Sequence, residues 1–323
     1  LWSVPRSEAW GSCYIMPHIF RVVSIERFPH SGNGYQNRAM LFHEQAKLAV
    51  EWTSDKVDFR LVPGSLASLD MEGEVPATTD AVPITQLQLL ELPVPTLNLF
   101  ETIPPGWVRN RELVQRGLVL WASLPNYCQH LFNAMFWASK RFQRFAIGPS
   151  SMNGHHAERN GNLRHSVEVA EYADEMSHGN PDVCRPVLIL AALIHDAGKA
   201  DEYEYDDQRK SYFLSRRGIL IGHRHTVIEW LAAAEACYQI DPPPLHYLTL
   251  LHSLTSARGT TWLGIREPRS LEATLLSISD RLSGEADLVH RQAPASDGFG
   301  KHHPHLRGRS FVVRHQETGH ILA

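Results

Sequence analysis

The sequence lacks the long hydrophobic runs and paired cysteines that mark several classes of protein. Its longest purely apolar run, Val187 to Ile194, is far too short to span a bilayer, so no membrane association is expected. The N-terminus shows no charged segment followed by a hydrophobic core, which argues against a secretory signal. The four cysteines are widely scattered and form no CxxC pair. That pattern suits a reducing cytoplasm and predicts neither a disulfide framework nor a zinc knuckle.

A strong positive charge is also absent. The formal net charge is −4, so the global basic field of a typical duplex-DNA binder is missing. Hydrophobic residues make up 43% and charged residues 20%, which is an ordinary globular balance. Histidine, in contrast, is abundant, with 19 residues. Histidine is the commonest metal ligand, but many histidines lie passively on surfaces, so their positions must decide.

The first third of the chain has the pattern of β-structure. Short runs of Val, Ile, Leu, Phe and Trp alternate with turn-rich stretches, as in a small barrel or sandwich. The predicted strands are Ile19–Arg27, Arg38–His43, Lys47–Thr53 and Ile84–Leu90. Prolines between Pro93 and Pro105 then interrupt the pattern, and helical periodicity begins near Asn110.

These changes predict an α+β protein with two domains, a small OB-like β-barrel followed by an all-α helical bundle. The predicted segments are an N-terminal extension (1–17), the β domain (18–97), a helical connector (98–150), the helical domain (151–290) and a tail (291–323). Because the tail is rich in Gly, Pro and His, most of it is expected to be loop, with one strand-like piece at Ser310–Arg314.

The most informative feature is the dipeptide His195-Asp196. It ends an almost wholly apolar helix, PVLILAALIHDAGK, and burying both side chains there is costly unless they are paired or bind a metal. Gly198 is placed to let the chain turn out of this helix. Lys199 follows, where it could neutralise charge on a bound phosphate. The alternative for Lys199 is a helix-end cation favoured by the helix dipole.

Further histidines and one aspartate share the apolar faces of other predicted helices. They are His165, His223, His252 and Asp280. A single histidine on an apolar face is more often a hydrogen-bonded core residue, but several helices pointing His or Asp inward favour a metal centre. His165, His195, Asp196 and Asp280 would hold one ion; His223 and His252 would hold a second, with Asp196 bridging. The donors suit Mn²⁺, the first choice, and also Fe²⁺, Co²⁺, Ni²⁺, Zn²⁺ or Mg²⁺.

These residues resemble the HD superfamily of metal-dependent phosphohydrolases, whose pattern is H…HD…D on a helical bundle. The segments HHAERNGNLRHS (from His155), LILAALIHDAGK (to Lys199), GILIGH (to His223) and SISDRLSG (around Asp280) are most similar to the YhaM-like 3′–5′ exoribonucleases. That group joins an OB-fold to an HD domain. The resemblance implies a metal-dependent phosphodiesterase, a 3′–5′ exonuclease whose OB-like domain guides single-stranded RNA or DNA.

The chain departs from that pattern at three places. Asn160 and Asn162 replace a glycine and a leucine, and Ser253 follows His252 where a second histidine is usual. Loss of that histidine could weaken a second metal site, which leaves a one-metal enzyme or an altered activity open.

Several residues beside the ligand segments are predicted to contact substrate. Arg164, Arg216, Arg217 and Arg224 could bind backbone phosphates or be ordinary surface arginines. His155 and His156 could line the substrate pocket or pack their loop. The alternatives to an exonuclease are a small-nucleotide or cyclic-nucleotide phosphohydrolase, a mobile-element relaxase and a non-catalytic nucleic-acid-binding protein. Oligomeric state is not predicted.

Overall fold

The computed structural model describes residues 18–30, 34–70, 80–137 and 140–314. The predicted N-terminal extension (1–17) and the end of the predicted tail (315–323) lie outside the described residues. The chain divides into two compact units between Leu90 and Glu91. The first carries a curled sheet and the second is largely helical, so the predicted α+β, two-domain layout is confirmed.

The first unit is a six-stranded sheet curled into a half-barrel. Its strands are β1 (Ile19–His30), β2 (Gly34–His43), β3 (Ala46–Ser54), β4 (Leu66–Asp70), β5 (Val82–Pro83) and β6 (Gln86–Leu89), in the order β5-β3-β2-β1-β4-β6. The edge strands β5 and β6 are separated by only two residues in sequence. One short segment thus pairs parallel with β3 and antiparallel with β4, which curls the sheet around a core that includes Phe20, Leu41 and Val50.

All four predicted strands are present. The two-residue strand β5 and the longer strand β4 were not predicted. The sequence of β4, LASLD, has too few β-branched or aromatic residues to give a strand signal. Hydrogen-bonded pairing stabilises this strand despite its low β-propensity, since Leu66–Ser68 pairs with β1 and Ala67–Asp70 pairs with β6.

The second unit contains ten described helices and two hairpins. The helices are α1 (Arg111–Ala122), α2 (Asn126–Phe136), α3 (Arg141–Ile147), α4 (Gly161–Ser177), α5 (Arg185–Ile194), α6 (Lys199–Glu202), α7 (Arg216–Leu220), α8 (Gly222–Tyr238), α9 (Pro244–Thr255) and α10 (Leu271–Gln292). Strands β7 (Tyr203–Asp206) and β8 (Ser211–Leu214) form one hairpin, and β9 (Gly298–His303) and β10 (Gly308–Val312) the other. None of the described helices is long and apolar enough to cross a membrane.

Helix α5 is the central helix of this unit. Every residue from Val187 to Ile194 is buried, and α5 packs against α2, α4, α9 and α10. Pro186 near its start preorganises the first turn, where a missing backbone N–H costs nothing. The apolar run that ends in His195-Asp196 therefore delivers these two polar residues to the middle of the bundle.

The expectation that the tail is mostly loop is wrong for its described part. Strands β9 and β10 are joined by a 3-10 turn, Pro304–Leu306. The Phe299 and Phe311 rings lie 4.9 Å apart at an edge-on angle, and Arg309 Nε donates to the carbonyl of Gly300 at 2.7 Å. These cross-strand contacts stabilise the hairpin although its Gly-rich and His-rich sequence has low strand propensity.

Candidate metal centre

Three ligand atoms meet where α4, α5 and α10 come together. His165 lies on α4, His195 caps the end of α5, and Asp280 lies on α10. Their ligand atoms all lie within 4.8 Å of one another. The Nε2 atom of His165 is 3.3 Å from that of His195 and 3.1 Å from Asp280 Oδ1. Atoms bound at about 2.1 Å to one ion lie roughly 3–3.5 Å apart, so this spacing fits a single metal.

The hydrogen bonds behind the two imidazoles orient both Nε2 lone pairs towards the same point. His195 Nδ1 lies 2.7 Å from the carbonyl of Ala192, which can only accept, so Nδ1 carries the proton. Ser283 Oγ donates to Glu168 Oε2 at 2.9 Å and accepts from His165 Nδ1 at 3.1 Å. Two lone pairs facing each other at 3.3 Å repel unless a cation lies between them. The donor set therefore fits a divalent metal ion.

Asp196 adds a fourth donor to this group, and it is the second carboxylate. Its Oδ2 lies 3.3 Å from His165 Nε2 and 3.6 Å from His195 Nε2. The same oxygen accepts from Lys199, whose ammonium also donates to Ser150 Oγ at 3.1 Å. Burial would raise the pKa of Asp196, but Lys199 and then His195 lower it well below its ordinary value. Asp196 is therefore ionised at neutral pH.

The two carboxylates give the site a charge that favours a cation. Burial would also raise the pKa of Asp280, yet its close contacts with the His165 and His195 rings together lower the pKa far below its ordinary value. Burial would lower the pKa of His195, and the negative charge of Asp196 raises it instead. Positive charge beside Asp196 and Asp280 is thus stabilised, whether it belongs to an imidazolium or to a metal ion.

His223 lies on the other side of Asp196. Its Nε2 is 3.4 Å from Asp196 Oδ1, and its Nδ1 is 2.5 Å from Glu202 Oε2. Asp196 therefore faces His165 and His195 with one oxygen and His223 with the other, as the bridging prediction requires. Glu202, which orients His223, was not predicted, because nothing in its sequence position distinguishes it from a surface glutamate.

Gly198 does not serve the turn expected of it. Its φ of −62° is right-handed and open to any residue. Its importance is spatial, since a Cβ atom at this position would lie 2.2 Å from the carbonyl oxygen of His223. The absence of a side chain lets the start of α8 approach the His195-Asp196 turn and brings His223 to Asp196.

The structure does not bring His252 to this group. Its Nε2 accepts a hydrogen bond from the backbone N–H of Arg269 at 2.8 Å. The next residue, Ser253, is buried and lines the pocket beside the ligands. The position beside the predicted second metal site is therefore occupied by Ser253, whose hydroxyl donates to the carbonyl of Thr249.

The adjacent histidines of the 148–161 loop have different surroundings. His155 lines the pocket, 5.1 Å from the His165 ring, and burial, followed by the nearby His165 and Lys199, lowers its pKa to about 4. His156 is only 2% exposed. Its Nε2 lies 3.2 Å from Ser283 Oγ and from Glu168 Oε2, behind the metal ligand His165. The geometry of His156 is that of a packing and positioning residue.

A cavity of about 230 Å³ opens onto the ligands. The cavity is lined by the candidate ligands His195, Asp196 and Asp280, together with His155, Lys199, His223, Arg224 and Arg258. Of the four predicted arginines, Arg224 is the one among its lining residues. Arg258 was missed, because it lies in the loop after α9, outside every segment that carries a ligand motif.

The other three predicted arginines have contacts outside this cavity. Arg164 lies 3.4 Å from Glu158 Oε1, and Arg217 donates to Thr226 Oγ1 at 2.9 Å and pairs with Glu229. Arg216 lines a separate cavity beside the β7–β8 hairpin.

Both asparagines that depart from the resembled pattern have structural roles. Asn160 adopts a left-handed φ of 67°, which asparagine tolerates better than most residues, and its side chain donates to the carbonyls of Trp107 and Ala146. Asn162 is buried, and its amide donates to the carbonyl of Asp196 at 3.2 Å. Asn160 therefore ties the start of α4 to α3 and to the segment around Trp107, and Asn162 ties α4 to the His195-Asp196 turn.

The comparison with known families agrees with this geometry. Residues 162–285 match the family model described as the HD domain. The matched region contains His165, His195, Asp196, His223 and Asp280. No match is found among curated proteins or among solved structures. The helical region thus carries an HD domain, which supports the HD-domain superfamily and implies a metal-dependent phosphohydrolase.

Proposed function

We propose that this protein is a one-metal HD phosphodiesterase that removes nucleotides from the 3′ end of single-stranded RNA or DNA. The observation that carries the proposal is the pair of Nε2 lone pairs of His165 and His195, oriented to one point beside the ionised Asp280 and Asp196. Two further features support a nucleic-acid substrate: the cationic lining of the cavity and a curled β-sheet unit ahead of the HD domain, as in the resembled exoribonucleases.

His165, His195, Asp196 and Asp280 would hold the ion. When bound, it supplies Lewis acidity and lowers the pKa of water at the site. The chain's own residues bind and orient the substrate. Arg224 and Arg258 offer donors to the non-bridging phosphate oxygens, and Lys199 offsets the negative charge carried by the phosphate oxygens during displacement. Glu202 keeps His223 facing Asp196, so the imidazole stays on the substrate side of the cavity.

The exonuclease is tested with 5′-labelled single-stranded RNA and DNA in the presence of Mn²⁺. The wild-type protein should shorten the labelled strand stepwise. The His195→Ala, Asp196→Ala double variant should lose at least about 10³-fold in rate, because several kcal/mol of transition-state stabilisation depend on the ion. His225→Ala is the matched control, since His225 is exposed on α8 two residues after His223. An unchanged double variant, or random internal cuts, would contradict the proposal.

A small-nucleotide phosphohydrolase is the second candidate, favoured by the modest size of the cavity, about 230 Å³. Cyclic nucleotides and bis(p-nitrophenyl) phosphate test it in the same buffer. Hydrolysis of these substrates with no shortening of either polymer would assign the protein to this second class.

A further inference from the structure

We propose that a groove beside the metal centre binds a backbone phosphate of the substrate strand, and that the C-terminal β9–β10 hairpin forms its basic wall. The inference rests on the proposed function and gives it a substrate class, a strand longer than a dinucleotide. The sequence left the role of this segment open.

The groove has a volume of about 630 Å³ and continues from the catalytic cavity. Its lining includes His155 and Asp280, which also line the catalytic cavity, so the two spaces meet at the metal ligands. Arg281 of α10 lines one side, and His305 and Arg307 of the hairpin turn line the other. A strand whose scissile phosphate lies at Asp280 would therefore extend into this groove.

The charges of the groove favour a phosphate. Arg281 is largely exposed and lies 3.8 Å from Glu285, the one groove carboxylate besides Asp280 among the described lining residues. In the part of the chain that the structure describes, no carboxylate forms an ion pair with Arg307. The groove thus holds two guanidinium groups and an imidazole against two carboxylates, of which Glu285 lies beside Arg281 and Asp280 belongs to the candidate metal centre. Arg307 is left to bind a phosphate, because guanidinium groups bind phosphate oxygens in a bidentate manner.

The position of Arg307 is fixed by its surroundings. Arg307 adopts a left-handed conformation with φ 52° and ψ 27°, which is uncommon for a non-glycine residue and costs conformational energy. His303 caps the preceding turn by accepting from the backbone N–H of His305 at 3.3 Å. The backbone at the tip of the hairpin is thus set by the turn, and the exposed Arg307 side chain extends from it beside the groove.

The hairpin is also anchored to the elements that carry the site. A Cβ atom at Gly300 would lie 2.4 Å from the carbonyl oxygen of Gln292, so β9 contacts the end of α10 closely. The His305 ring lies over Gly154, with its Cε1 3.4 Å from where a Cβ of that glycine would be. Arg291 donates to the carbonyl of Gly154 at 2.6 Å, which ties α10 to the loop before His155.

The consequence is a length-dependent substrate preference. A dinucleotide has a single phosphodiester. When that group lies at the metal centre, no phosphate remains to occupy the groove. A longer strand places a second phosphate against Arg307. Loss of the Arg307 charge should therefore weaken binding of a long strand and leave dinucleotide hydrolysis unchanged.

The test compares Arg307→Ala with Lys301→Ala, an equal change of charge on the exposed face of the same hairpin, outside the groove lining. Binding of a fluorescein-labelled phosphorothioate 12-mer is measured by anisotropy in Mn²⁺ at several salt concentrations, with a gel to check that the strand stays intact. Arg307→Ala should raise Kd about 10-fold and reduce the salt slope by about 0.7, the value for one phosphate contact on a single strand. Lys301→Ala should match wild type.

Two further measurements separate this inference from the proposed function. Arg307→Lys, which keeps the charge, should retain the wild-type salt slope. KM for a 12-mer should rise in Arg307→Ala while kcat/KM for a dinucleotide stays constant. Equal losses of kcat/KM on both substrates, or wild-type affinity in Arg307→Ala, would overturn the proposal that the groove binds a phosphate. Arg307-dependent binding without hydrolysis of any strand would support phosphate binding in the groove and overturn the proposed exonuclease activity.

Discussion

Ser283 lies one layer behind the metal ligands, and its hydroxyl decides which nitrogen of His165 carries a proton. It accepts from His165 Nδ1 because its own hydrogen is directed to Glu168. Burial would raise the pKa of Glu168, but the hydrogen bond and charge of His156, together with the hydrogen bond from Ser283 and the charge of Arg116, lower it below its ordinary value. The metal-binding tautomer of His165 thus depends on residues that never touch the ion.

The substitution Ser283→Ala should weaken Mn²⁺ binding 10- to 100-fold, because the His165 ring loses the hydrogen bond that fixes its orientation. Isothermal titration calorimetry of the purified protein measures this directly. Ser177→Ala is the matched control, since Ser177 is also buried but donates to the carbonyl of Asp174 at the far end of α4. Equal Mn²⁺ affinity in both variants would show that Ser283 does not position His165.

At the scale of the element, α9 shows how one step along a helix changes a side chain's surroundings. Successive residues on a helix differ by about 100° in direction, so His252 and Ser253 cannot both face the metal centre. The structure turns His252 to the backbone of Arg269 and Ser253 to the cavity. Hydrophobic periodicity placed His252 on the apolar face, but this helix has large leucines exposed at Leu245 and Leu248, so its apolar face is not a reliable guide.

Replacement of Ser253 with histidine should create a second metal site. An imidazole at this position would join His223 and the free Oδ1 of Asp196, so Mn²⁺ stoichiometry should rise from one to two per chain. Elemental analysis and calorimetric titration measure the stoichiometry. His252→Ala, the adjacent substitution, should leave it at one. Loss of bound Mn²⁺ in His252→Ala would instead make His252 a ligand, as its sequence position first suggested.

For the whole molecule, metal binding should couple to stability. The ligands come from α4, α5 and α10, which are distant in sequence, so the site exists only when the second unit is folded. An ion that binds only the folded chain adds about 2.7 kcal/mol to the free energy of unfolding when its concentration is 100 times its Kd. Differential scanning calorimetry should therefore show an unfolding transition that moves to higher temperature as Mn²⁺ is added.

The Asp280→Asn variant tests the origin of this shift. It removes one ligand charge, so its transition should respond little to Mn²⁺, whereas Asp207→Asn, an exposed change in the β7–β8 turn, should respond like wild type. A shift of equal size in all three proteins would place the stabilising ion elsewhere, for example at the histidines of the tail.

The sequence by itself determined the features that depend on local pattern. Short runs with strand propensity predicted β1 to β3, and the apolar run ending in His195-Asp196 predicted both a buried helix and a metal centre at its end. Such signals can be recognised in the sequence because eight consecutive apolar residues, or a buried His-Asp pair, constrain the fold wherever the rest of the chain lies.

Only the tertiary structure decided the features that depend on contacts between distant segments. It placed Ser253 rather than His252 at the cavity, gave Gly198 its role through the backbone of His223, and brought the tail hairpin with Arg307 beside the loop of His155. The physical reason is the same in each case. The free energy that selects these arrangements comes from packing and hydrogen bonds between segments 17 or more residues apart in sequence, which no local propensity encodes.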